Sequence, residues 1–343
     1  MNKDLSEQLI QLDIRDLIGC LQQPSIKPKF DTFVKKTIDE RRKNSSVIGM
    51  RDFHNWIKRT LIQRLKALFK GDVSLLDIAV GRGGDIDKWN KAGIKYVYGF
   101  DISNEFINGI NPLDPGANER KKNYRSLNTV IEFDVGNAAT DDTQLKERIV
   151  SFEKKNKIKG FHLISCQFAL HYFFKSEDAL RNVFKTIRQF LRPGGFFFGT
   201  TIDGRRLNEL FKPSRDREYS EELFVTQRNY NKTSKEIYGK MYLFQINDIY
   251  DNSNYFNSSG VSEEYLVDFN ELVRVAEIYG LEPVYKYDIE LFKNIQGNVE
   301  VHDFLSFEEI LQYNIWTPKS GKGMNPNEIS LNNLYTTFIF RKK

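Results

Sequence analysis

A run of acids and glycines stands where a nucleotide could be held. Asp77, Ala79, Gly81 and Gly83 follow an acid-x-small-x-Gly-x-Gly spacing at the end of the apolar stretch 73–80, and Asp101 lies twenty residues beyond Gly81. In a dinucleotide fingerprint a third glycine lets a pyrophosphate rest on the following helix, but here that position is Ile86. The turn therefore suits a ligand without a pyrophosphate, one that needs backbone to pass close by. Asp101 would accept from two ribose hydroxyls, and Asp134 closes the next apolar stretch, 130–137. These residues alone leave open any doubly wound nucleotide-binding fold. Of the four histidines only His171 draws attention, in the aromatic run Gln167-Phe168-Ala169-Leu170-His171-Tyr172-Phe173-Phe174. A lone histidine in such company is ordinarily a satisfied core residue.

The elements that must carry these residues are legible from periodicity. Residues 73–80 read as a buried strand, 85–92 as a helix, and a second strand ends on Asp101. Upstream, apolar positions 53, 56, 57, 61, 65 and 68 recur at helical spacing over 50–65, with Asn55 and Lys58 on the polar face. Downstream come a third strand with Asp134 at its carboxyl end, a fourth at 161–165, a helix at 176–190 closed by Arg192-Pro193-Gly194-Gly195, and a strand at 196–201. Residues 203–262 switch to short alternating stretches and an Asp/Asn/Ser-rich loop, predicting a strand-rich insertion or lid. The sheet resumes after a helix at 269–279, with strands at 281–287 and 334–340. Residues 1–45 read as a charged extension with an amphipathic piece at Leu9, Leu12, Ile14, Leu17 and Ile18.

Composition narrows the class. At 343 residues the chain can bury a full core. Its two cysteines, Cys20 and Cys166, argue against a disulfide scaffold or a zinc site. No apolar run approaches the ~20 residues of a membrane span, which predicts a soluble intracellular protein with no membrane partner. The net charge of +5 permits an anionic partner without requiring one. With 27 Phe, 16 Tyr and 3 Trp, some rings could serve as stacking platforms for bases.

The acid-x-small-x-Gly-x-Gly turn resembles motif I of the class I S-adenosylmethionine (SAM) methyltransferases, and Arg-Pro-Gly-Gly before an apolar strand resembles a second signature of that fold. Arg51-x-Phe53-x-Asn55-Trp56-Ile57-Lys58, Gly81-Arg82-Gly83-Gly84-Asp85 and Gln167-Phe168-x-x-His171-Tyr172 then occur in order in one chain. Together they resemble the messenger RNA cap guanine-N7 methyltransferases, over roughly residues 38–343, with some leaning toward the branch found in large DNA viruses. The resemblance implies an α/β, Rossmann-like fold with a seven-stranded, mostly parallel sheet. It implies SAM as methyl donor, no metal, and the capped 5′ end of RNA as substrate. A capping-enzyme or polymerase partner and a monomeric catalytic domain are further expectations. The place of action would be the nucleus for a cellular enzyme, and a cytoplasmic viral factory or the virion for a viral one.

By the same resemblance Lys58 would meet the methionine carboxylate of SAM. Asp77 and Asp85 would serve its amine, Ala79, Gly81, Gly83 and Gln167 the surrounding turn, Asp101 the ribose and Asp134 the adenine amino group. Arg82 would face the triphosphate bridge, with Asn55 nearby. Phe168, His171 and Tyr172 would wall the guanine, Glu264 would read its Watson–Crick edge, and Tyr335 would close the pocket. The sequence departs from the family at Ala79, where glycine is usual, and at Ile202-Asp203-Gly204, where the cellular enzymes have Pro-Asn. Guanine N7 exposes a lone pair and a sulfonium methyl is already activated. An in-line displacement then needs proximity and orientation, with no catalytic base or metal. Two other classes are weighed beside this one: a SAM-dependent enzyme acting on a small molecule, and a methyltransferase-like subunit that stimulates a capping partner.

Overall fold

The computed structural model describes residues 44–110, 115–124, 128–211, 217–248, 261–285, 304–319, 321 and 323–343. The amphipathic piece at 9–18, the turn at 111–114, the loop at 249–260 and the end of the 281–287 strand lie outside the described residues. The chain divides into a unit of residues 1–46 with 249–251 and a unit of 47–248 with 252–343. Every element named below belongs to the second unit. Among the described residues no helix is long and apolar enough to cross a membrane.

Helix α1 (Ile48–Ala67) buries Phe53, His54, Ile57, Leu61, Ile62 and Leu65 along one stripe. It begins earlier than the sequence reading, and Leu68 falls past its end and is exposed. No side chain of its own caps the helix. Instead the buried Glu328 carboxylate, from α10 (Pro326–Asn332), accepts the Met50 N–H at 3.0 Å.

The main sheet has seven strands in the order β10-β11-β5-β4-β1-β2-β3. These are β1 (Ser74–Ile78), β2 (Tyr96–Asp101), β3 (Val130–Val135), β4 (Phe161–Gln167), β5 (Leu191–Ile202), β10 (Leu281–Pro283) and β11 (Tyr335–Lys342). Strands β1 to β5 pair in parallel, and β11 runs antiparallel to both its neighbours. This is the seven-stranded, mostly parallel sheet expected from the sequence. Helices cover both faces, so β1 is buried along its whole length instead of alternating. Leu75, Leu163 and Phe198 pack on the side of α1, while Leu76, Ile164 and Phe197 pack on the side of α5 (Thr143–Asn156), α6 (Glu177–Phe190) and α8 (Phe269–Ile278).

The Arg-Pro-Gly-Gly signature lies within β5, not before it. Between the pairs Phe161↔Leu191 and Leu163↔Phe196 the register advances two residues on β4 and five on β5, and Gly194 takes φ +73°. Helix α6 thus runs straight into its strand through a bulge.

After β5 the chain forms α7 (Gly204–Leu210) and a separate antiparallel sheet ordered β6-β7-β8-β9. Its strands are β6 (Glu218–Ser220), β7 (Phe224–Arg228), β8 (Met241–Ile246) and β9 (Val261–Tyr265). The departure at Asp203-Gly204 has a local cause. Asp203 caps α7 by accepting the Arg205 N–H at 2.8 Å, and a Cβ on Gly204 would come within 2.4 Å of the Val267 carbonyl.

Candidate functional site

Strand order reverses between β1 and β4, and in open α/β sheets a ligand binds at the carboxyl ends of the strands beside such a reversal. Asp77 on β1, Asp101 at the end of β2 and Gln167 at the end of β4 meet there. The turn after β1 is left-handed at three residues, with φ of +59° at Ala79, +55° at Gly81 and +70° at Gly83. Glycine adopts this backbone freely, while Ala79 is strained by about 1–2 kcal/mol. The departure from the family at this position is therefore not neutral.

Asp101 fastens the turn. Its Oδ2 accepts the Gly81 N–H and its Oδ1 the Ser103 N–H, each at 2.9 Å. Burial raises its pKa, and these two bonds oppose the rise. Each carboxylate oxygen keeps a second lone pair for a ligand hydroxyl.

Asp85 precedes α2 (Ile86–Ala92) without capping it. Its Oδ1 lies 2.8 Å from Lys58 Nζ on α1 and 2.7 Å from Lys88 Nζ. Burial opposes ionisation, but the two ammonium groups outweigh it and hold the Asp85 carboxyl well below the usual carboxylate range. Lys88 was not singled out in the sequence. Its spacing of three residues after Asp85 on a short helix was the available signal.

Asp77 is the opposite case. It is 3% exposed, and its Oδ1 has no hydrogen-bond partner. Burial first, and then the neighbouring Asp85 carboxylate, push its pKa well above the usual 3.8. A buried acceptor in this state fits an incoming ammonium group. With the Asp101 carboxylate, these acceptors suit the aminoacyl and ribose ends of SAM.

Asp134 stands apart from these acids. Its Oδ2 takes the Tyr98 hydroxyl, and Arg148 Nε approaches it at 3.9 Å. Arg82 lies on the Phe106 ring at 4.8 Å and donates to the Glu105 carbonyl at 3.4 Å. The Asn55 amide donates to the Arg51 carbonyl one turn back at 2.8 Å. Gln167 donates to Ser165 Oγ at 3.1 Å and accepts from Thr200 Oγ1 at 3.0 Å, which fixes the end of β4.

Past Gln167 the chain makes a sharp change of direction. Phe168 has φ +56°, an uncommon backbone for a bulky side chain, held by its N–H to the Thr200 carbonyl at 2.8 Å. Its ring stacks on His54 at 5.0 Å and meets Tyr335 edge-on at 5.4 Å, and Lys58 Nζ lies 5.7 Å from its centre. His54 was missed because it reads as a helix-face residue. Burial and Lys58 push its pKa down to about 3, so it is a neutral aromatic wall.

A short 3₁₀ turn (Leu170–Lys175) carries His171 and Tyr172. His171 is 4% exposed, both ring nitrogens lack hydrogen-bond partners, and Nε2 lies 3.7 Å from Glu264 Oε1. Burial lowers its pKa, with Glu264 opposing. Glu264, 1% exposed on β9, accepts the hydroxyl of the fully buried Tyr242 on β8 at 2.7 Å. Tyr172 shares a hydrogen bond of 3.2 Å with Ser262, also on β9. Tyr335 opens β11 opposite Ile202 and is buried, with its pKa raised by burial and then by the Glu264 charge. Tyr242 was missed as well; its buried alternation with Phe244 along β8 was the only signal.

A profile of the mRNA (guanine-N(7))-methyltransferase domain matches residues 26–343. The chain belongs to this family. It is a SAM-dependent mRNA cap guanine-N7 methyltransferase. The chain is 27% identical over 320 residues to mRNA cap guanine-N(7) methyltransferase 1 of Arabidopsis thaliana, covering 89% of this chain and 77% of that protein. It is 32% identical over 255 residues to the mRNA cap guanine-N(7) methyltransferase of Saccharomyces cerevisiae, covering 71% of this chain and 53% of the yeast protein. Among solved structures, the CcbJ methyltransferase from Streptomyces caelestis aligns over 83% of this chain and 88% of its own, at 12% identity and a TM-score of 0.48.

Proposed function

We propose that the site divides into a cofactor half at the β1/β4 reversal and a guanine half under the second sheet, and that catalysis consists of holding the two ligands in line. SAM supplies an electrophilic methyl on a sulfonium. In the cofactor half Asp77 would take the aminoacyl ammonium, Lys58 its carboxylate, Asp101 the ribose hydroxyls, and the remaining oxygen of Asp134 the adenine amino group. Ala79, Gly81, Gly83, Asp85 and Gln167 shape and fix that half.

In the guanine half Glu264 would accept from N1–H and the 2-amino group, with Phe168, His171, Tyr172 and Tyr335 as walls. Arg82 would face the substrate's triphosphate bridge, and Asn55 would be a further contact to the substrate. The observation that carries this reading is a buried carboxylate, Glu264, oriented by Tyr242 and placed beside a histidine whose nitrogens are both unpartnered. Such a set is costly unless a ligand completes it.

Proton transfer is not required at N7, so none of these residues needs to act as a base. His171, kept neutral by burial, adds no competing cation beside the purine. As N7 takes the methyl the ring gains positive charge, and the Glu264 carboxylate is already in place to stabilise it. The second sheet would serve as the lid that excludes water; its last strand carries the lid on to Tyr265, past the bound of 262 expected from the sequence. The cellular relatives are eukaryotic capping enzymes, which supports a nuclear place of action.

The test is methyl transfer from labelled SAM to capped and to uncapped RNA of one sequence. The expected result is label in the capped RNA alone, recovered as N7-methylguanosine. Equal labelling of both, or label at another atom, would overturn the reading.

A further inference from the structure

The second sheet carries Glu264 on its last strand and Arg228 two strands away. Its register places Arg228 on β7 opposite Tyr242, and Tyr242 opposite Glu264. Directly opposed residues project from the same face, so Arg228 shares the face of Glu264 at two strand spacings, roughly 10 Å. One strand further out, the Arg228 N–H donates to the Arg217 carbonyl at 2.7 Å. Arg217, Arg228, Asn229, Tyr230, Asn231 and Lys232 line a hollow of about 530 Å³, and among the described residues its lining holds three cations and no carboxylate.

The walls of this hollow are fixed by the protein itself. Arg228 Nη1 donates to the Tyr230 carbonyl at 2.9 Å, the Tyr230 hydroxyl to Asn208 Oδ1 at 2.8 Å, and Lys232 Nζ to the Phe211 carbonyl at 3.0 Å. The Arg228 Nε–H is nevertheless buried without an acceptor. A phosphate oxygen would satisfy it. The guanidinium lies 5.7 Å from the centre of the Tyr230 ring, a cation–aromatic pair on which a base can stack. The volume exceeds that of a lone phosphate and suits a nucleotide unit.

We propose that this hollow binds single-stranded RNA beyond the cap, with Arg217, Arg228 and Lys232 on phosphodiester oxygens and Tyr230 against a base. The proposal rests on capped RNA being the substrate. Contacts to phosphates carry affinity without sequence preference, so the site would strengthen the grip on RNA and leave the chemistry at N7 unchanged.

The test compares a capped dinucleotide with a capped RNA of about 12 nucleotides, within the usual span of a single-strand site. Wild-type protein should show a lower KM for the longer RNA, with a steeper salt dependence. Arg217 and Lys232 are exposed, so Arg217→Ala with Lys232→Ala should leave the melting temperature and the dinucleotide kcat/KM unchanged. The double variant should raise KM for the longer RNA about tenfold and lower the salt slope by about 1.4, the value for two lost single-strand phosphate contacts. Arg228→Lys, which keeps the charge but loses the Nε–H, should raise the same KM by a smaller factor. If wild type shows no preference for the longer RNA, or the double variant keeps that preference, the proposal is overturned while dinucleotide methylation leaves the cap reading intact. If wild type methylates neither substrate, both readings fall.

Discussion

The two halves of the site are built in different ways. Lys58, Asp77, Asp85 and Asp101 stand on the main sheet and its two nearest helices, within a short span of chain; backbone N–H groups hold Asp101, and Asp85 pairs with Lys58 and Lys88. His171, Glu264, Tyr242 and Tyr335 come from a 3₁₀ turn, a second sheet and the last strand, and the parts meet only on folding. The first half is a local motif and the second is a tertiary assembly. Changes to the cofactor half should therefore act on SAM affinity and on the turn itself. Changes to the guanine half should act on cap turnover with SAM affinity intact.

The largest effect expected is at Asp101. Asp101→Ala removes the ribose acceptor and also the anchor of the Gly81 N–H, with each charge-assisted bond contributing ~1.5–3 kcal/mol. SAM binding by calorimetry should be lost, and an unchanged Kd would remove Asp101 from the site.

Asp77 separates stability from function. A carboxyl whose folded pKa is raised contributes stability that is fully present below its unfolded pKa and is lost as pH rises through the folded value. Asp77→Asn should therefore melt higher than wild type without SAM near neutral pH, with the advantage vanishing toward pH ~3, below the unfolded carboxyl pKa. The same variant should bind SAM about tenfold or more weakly, one charge-assisted bond having been lost. A melting advantage independent of pH would contradict this account of Asp77.

On the guanine side, Tyr242→Phe deletes the donor that orients Glu264. One hydrogen bond to a charged acceptor is about 1.5 kcal/mol, so kcat/KM for capped RNA should fall roughly tenfold while SAM Kd stays put. Equal losses in both would assign Tyr242 to folding alone. The smallest effect expected is Ala79→Gly, which relieves the left-handed alanine and should stabilise the protein by about 1 kcal/mol, a rise of a few degrees in melting temperature. No gain would mean that Ala79 packs well enough to offset its backbone strain.

How far the sequence could be read follows the same division. The strands carrying Asp77, Asp101 and Asp134 were legible because apolar periodicity and the glycine turn are local signals. Strand β5 was placed from residue 196, but its start at Leu191 was hidden because a bulge has no apolar pattern of its own. The stripe on α1 was read with Leu68 and without His54, and the helix's earlier start was hidden because it depends on Glu328, far along the chain. Glu264 stands only a few residues before the helix at 269–279. The structure puts it in β9, and Asp268 caps α8 by accepting the Glu271 N–H at 3.0 Å. Tyr242 and the unpartnered Oδ1 of Asp77 could not be seen, because both follow from burial and cross-strand register.

The most direct test of the central claim, that Glu264 reads the guanine edge, compares guanosine and inosine caps. Inosine keeps N7 and N1–H but lacks the 2-amino group, and a site built around a buried acceptor rejects the analogue by up to ~10⁴-fold. The measurement is the ratio of kcat/KM for the two caps in wild type and in Glu264→Gln. The account predicts a large ratio in wild type and a much smaller one in the variant, the guanosine cap having slowed more. A lower melting temperature in the variant with the ratio unchanged would contradict it.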